Sequence, residues 1–80
     1  MIKDTVNRAA EKVSEGIKLA AEATELYSLD NQGATRFAEM ALNEFKKANE
    51  IAEYLSYEEK RLIDCVTGQA TFHLREIFGL

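Results

Sequence analysis

Apolar side chains recur at intervals of three and four along almost the whole chain, and two stretches interrupt them: SLDNQGAT at residues 28–35 and SYEE at 56–59. That spacing is the period of an amphipathic helix, so two interruptions divide the chain into three helices. The sequence has no proline to stop a helix elsewhere, and it draws heavily on Ala, Glu, Lys and Leu, which favour helix over strand. The expected fold class is all-α. The expected architecture is a three-helix bundle, a helical hairpin over 34–78 plus an N-terminal helix, in one domain spanning residues 1–80.

The first helix is expected from about Lys3 to Tyr27. Val6, Ala10, Val13, Ile17, Ala20 and Thr24 share one face of it, and Leu19, Ala23 and Leu26 form a second stripe beside that face. A helix with two apolar stripes touches two neighbours. Asp4 with Arg8 and Lys18 with Glu22 stand four apart, the spacing of solvated ion pairs contributing a few tenths of a kcal/mol each. In the first interruption Asp30 or Asn31 is able to cap the next helix, and that second helix is expected over 34–55. Its inner face carries Phe37, Ala41, Phe45, Ala48, Ala52 and Leu55, while Arg36, Glu39, Asn43, Lys46, Glu50 and Glu53 point outward. Alanines let a neighbouring backbone approach, and the two phenylalanines fill the gaps beside them.

Ser56 followed three residues later by Glu59 is a capping box, which places the start of the third helix there. With so short a connection the second and third helices run antiparallel. Leu62, Val66, Ala70, Leu74 and Ile77 lie on one broad face of the third helix. Gly68 in its middle costs about 1 kcal/mol relative to alanine and marks a place for a bend or break.

The composition, 46% hydrophobic and 30% charged, is that of a folded chain. At 80 residues it buries a modest core, with little depth for an enclosed active site. The net charge of −4 comes from signs scattered along the sequence, with no basic block to track a phosphate backbone, so nucleic acid is not expected as a partner. No apolar run reaches the roughly 20 residues of a membrane span, and the charged N-terminal stretch is unlike a signal peptide. A cytoplasmic location without membrane association is expected, in keeping with a single cysteine.

That cysteine, Cys65, and the only histidine, His73, are the minimum parts of a thiol active site. On one continuous helix their eight-residue separation is about 12 Å of axial rise, whereas a nucleophile and its base must come within about 3 Å. Neither is expected to be catalytic: His73 falls among the directions of Leu62, Val66 and Ile77 as a core or boundary histidine, and Cys65 lies at the stripe's edge as a small apolar residue. His73 and Glu76 stand three apart, but two ligands do not make a metal site, and Glu44 reads as a solvated carboxylate at the inner edge of the second helix. No metal and no cofactor are expected, and no enzyme.

Three local likenesses bear on function. TGQATFHLREIFGL at 67–80 resembles the end of a winged helix-turn-helix, which implies DNA binding; the wing strands are absent and Asp64 stands where that turn takes a small apolar residue. Ala41, Phe45 and Ala48 keep the spacing of the second helix of a tetratricopeptide repeat, and the size and packing are similar to MIT-type three-helix modules. Both imply a peptide bound in a groove between helices, although the repeat's Trp and Gly positions are not met.

What three simple amphipathic helices do not absorb is an excess of apolar and aromatic surface. Tyr54 lies with the polar face of helix two, Tyr57 stands just beyond it, and Phe78 and Leu80 lie in the final stretch REIFGL. The sequence therefore points to a non-enzymatic protein–protein interaction domain, a regulator or inhibitor that docks on a larger protein of the kind phages and mobile elements encode. Tyr54, Tyr57, His73, Phe78 and Leu80 are its candidate contact residues. The alternative expectations are a self-associating structural protein closing a homodimer, a peptide-binding module of the repeat or MIT type, and a helix-turn-helix protein.

Overall fold

In a computed structural model that describes residues 2–80, three helices make up the fold: α1 (Ile2–Leu26), α2 (Asn31–Ala52) and α3 (Tyr57–Phe78). Three of the boundaries have a visible local cause. Asp30 leaves helical geometry at φ −150°, ψ 90°, and its carboxylate accepts the backbone N–H of Gly33 at 3.1 Å. The cap lies upstream of Ala34, so α2 begins three residues earlier than its apolar pattern suggests and ends at Ala52 rather than Leu55. Ser56 and Glu59 close the expected capping box at the start of α3. Gly79 ends that helix in the left-handed region at φ 69°, where its N–H reaches the Arg75 carbonyl at 2.8 Å, the αL terminator that glycine favours. Gly68 does not break the helix, because α3 runs through it unbroken.

Side-chain contacts give the directions. Lys12 pairs with Glu44, Glu53 with Lys60, and Asn49 with Thr67, so α2 runs antiparallel to both of its neighbours. Ile17 borders Leu62 while Tyr27 packs edge-on against Phe78, so α1 and α3 run the same way. The bundle is up, down, up. Its tightest pair, however, is α1 with α2, not the expected hairpin over 34–78.

Residue size explains that difference. Ala34, Ala38, Ala41, Phe45, Ala48 and Ala52 form the buried face of α2; the last four are on the face expected from the sequence, whereas Phe37 of that face is half-buried and Leu55 lies beyond the helix. Opposite them α1 presents Ala9, Gly16 and Ala23, one residue every seven. A Cβ placed on Gly16 would stand 2.7 Å from Cδ1 of Phe45, so the glycine leaves the space the ring occupies. This corrects the face of α1. The seam joins Ala9 and Gly16, on neither stripe, to Ala23 of the second stripe, leaving Ala10, Ile17 and Thr24 exposed and Leu19 and Ala20 packed around the core.

α3 is also turned from its expected orientation. Its fully buried residues are Thr67 and Leu74, with Ile63, Ala70 and Phe78 half-buried, while Leu62 and Val66 of the expected inner face are exposed. The turn follows from a polar contact: the Thr67 hydroxyl lies 2.9 Å from Asn49 Oδ1 on α2 and 2.9 Å from the carbonyl oxygen of Ile63. A hydroxyl has one proton, which Thr67 shares between two acceptors, Asn49 Oδ1 and the Ile63 carbonyl. Burying this pair aims the Leu62–Val66 side of α3 away from the core.

Candidate interaction site

The two reoriented helices leave an apolar groove between them. Val13 and Ile17 of α1 form one wall, Leu62, Ile63 and Val66 of α3 the other, and Lys18 stands at the rim. Ile17 is 49% exposed, Leu62 67% and Val66 38%. In α2 every fully buried apolar residue except Phe45 is an alanine, so the core is thin where the surface is greasy. Sequence periodicity finds these groove residues but assigns them to the interior. The signal that separates them is size: the Ala9, Gly16, Ala23 row lets α1 close on α2, and the bulky residues beside that row are displaced to its edge.

The residues singled out from the sequence do not form one site. Tyr54 is 84% exposed and Tyr57 76%, both beside the α2–α3 turn. Leu80 is exposed and borders a separate groove with Arg75, Lys46 and Asn49. Phe78 is not free surface: it packs on the core and meets the Tyr27 ring at 84° with centroids 5.3 Å apart. His73 is exposed, contrary to its expected place at the core boundary. By helical spacing it belongs with Leu62 and Val66, and that stripe faces outward. Cys65 is exposed as well, on the unbroken helix that keeps it from His73.

Electrostatics at the surface are local. Glu44 is held at the edge of the α1–α2 seam by two lysines, Lys12 at 3.6 Å and Lys47 at 3.4 Å. The Asp4–Arg8 and Lys18–Glu22 pairs expected along α1 are not among the ion pairs of the described residues; the α1 lysine that is paired, Lys12, reaches across to α2. Lys60 bridges the α2–α3 turn. Its ammonium donates to Asp64 at 2.8 Å and lies 3.7 Å from Glu53, and the Asp64 hydrogen bond, aided by both carboxylate charges, raises its pKa above the ordinary lysine value.

Among the described residues no cluster of three or more His, Cys, Asp or Glu side chains is arranged to hold a metal ion, and no helix is long and apolar enough to cross a membrane. No family model, curated protein or solved structure matches the chain.

Proposed function

We propose that this chain is a small non-enzymatic protein-interaction domain, a regulator or inhibitor that docks on a larger protein. The observation that carries the reading is the uncovered groove of Ile17, Leu62 and Val66 between two parallel helices. Burying apolar area of this kind contributes about 25 cal/mol per Å², and a partner helix laid between α1 and α3 would supply the fourth member that their spacing leaves out. The thiol and the imidazole, eight residues apart on one helix, favour binding over catalysis.

The test compares capture by the native chain with capture by a Leu62→Asp, Val66→Asp variant, both immobilised and exposed to extract of the native host. A protein retained in stoichiometric amount by the first and lost by the second supports the reading, provided both chains give the same helical circular dichroism. Equal retention by both would remove the groove from the interface.

A further inference from the structure

The α2–α3 connection stays close to helical geometry for most of its length. Glu53 keeps helical angles, φ −59° and ψ −22°, and the N–H groups of Tyr54 and Leu55 still bond back to the carbonyls of Ile51 and Ala52. Ser56 is extended in ψ, with φ −62° and ψ 160°. Its φ is already helical, the turn contains neither proline nor glycine, and no described residue there has a positive φ. Rotation of ψ at Ser56 into the helical range, with relaxation of the turn before it, makes α2 and α3 one helix over 31–78.

On that straight helix the residues that join α2 to α3 fall into a single seam. Asn49, Glu53, Ser56, Lys60, Ile63 and Thr67 succeed one another at spacings of 4, 3, 4, 3 and 4, so they share one face, polar at every position except Ile63. Asn49 contacts Thr67 and Glu53 contacts Lys60 within one chain, and these partners lie on opposite sides of Ser56. A second straight helix laid antiparallel along the seam offers the same partners in the same order.

We infer that two copies of this chain exchange α3 by straightening at Ser56, each α3 docking on the α1–α2 pair of the other copy. Every contact of α3 broken in one copy is remade in the other, so those energies cancel and the balance is left to the hinge and to the cost of bringing two chains together. α3 is the element exchanged because Thr67 and Leu74 are its fully buried anchors, whereas α1 is held on α2 by the seating of Phe45 at Gly16. The closed turn is held by the Ser56–Glu59 box and by Lys60 reaching Glu53. The occupant is a second copy, so this inference does not rest on the α1–α3 groove and its test does not involve that groove.

The test measures mass by light scattering over a range of chain concentrations after refolding, together with a distance inside one chain. Ser56→Ala removes the cap, once in each chain, and an N-cap replacement of this kind is expected to shift the monomer–dimer equilibrium toward dimer by about tenfold or more. Glu59→Ala, which removes the other half of the box, is expected to act in the same direction. Insertion of Asn-Gly after Leu55 is expected to restore the monomer. Spin labels at Lys46→Cys and Arg75→Cys in a Cys65→Ser background, diluted with unlabelled chain, read the conformation. Both positions border one groove in the closed chain, and 29 helical residues separate them by about 44 Å in the straight one. A dimer with the long distance supports the exchange. A dimer that keeps the short distance, or capping variants that remain monomeric at millimolar concentration, would overturn it.

Discussion

Gly16 and Gly68 each sit in mid-helix, in opposite surroundings. Beside Gly16 the Phe45 ring occupies the space a side chain would need, while around the Cβ position of Gly68 no atom beyond the adjoining residues and the local helix backbone lies within 4 Å. Glycine in a helix costs about 1 kcal/mol relative to alanine. At Gly16 that cost is offset by the approach of α1 to α2 and the burial of an aromatic ring; at Gly68 the structure shows no compensating contact. The two glycines thus mark two kinds of seam. α1 and α2 close because side chains are small or absent, and α3 is added through Leu74, Phe78 and one shared hydroxyl.

The largest effect expected from this contrast is at the ring itself. Phe45→Ala should cost about 3–5 kcal/mol in urea unfolding, a large share of the stability of a domain this small, while Lys46→Ala on the outer face should stay within about 0.5 kcal/mol. Indistinguishable melting curves for the two would mean the seam is drawn on the wrong face of α2.

Gly16→Ala comes next and sets two rules against each other. Helix propensity alone calls for a gain, but the new methyl group meets the Phe45 ring, so the net expectation is a loss of about 1–3 kcal/mol. In a Phe45→Ala background the same substitution should reverse sign, and a double-mutant cycle measures that coupling. Gly68→Ala should stabilise by about 0.5–1 kcal/mol, because nothing opposes its propensity. A loss there would show that α3 carries a close contact on its outer side.

The smallest effect is alkaline. The Lys60 pKa is raised in the folded chain, so its contribution is complete below the ordinary lysine value and is lost as pH rises through the raised one. The stability difference between the native chain and a Lys60→Met variant should therefore be level at neutral pH and shrink only in the strongly alkaline range. A difference that persisted there would assign the effect to packing of the lysine stem.

The groove and the hinge relate differently to the sequence. Ser56 and Glu59 announce the hinge because a capping box is local chemistry, complete within four residues. Ile17, Leu62 and Val66 announce only that they are apolar and periodic, which core and groove residues share. The signals that separate the two are residue size, in the sevenfold row of Ala9, Gly16 and Ala23, and polarity, in Thr67 and Asn49. Gly79 is legible too, as a glycine just past the last periodic residue.

By itself, then, the sequence determined three helices, the capping box at Ser56, most of the buried face of α2 and the outward direction of its charges. Each of these depends on neighbours within one or two turns, where propensity, capping and periodicity act. Only the tertiary structure decided which pair closes most tightly, how far α1 and α3 turn about their axes, and therefore which apolar side chains remain uncovered. Those outcomes depend on residues far apart in the chain competing for the same space: Phe45 fits where Gly16 has no side chain, and Thr67 turns inward because Asn49 is there to meet it.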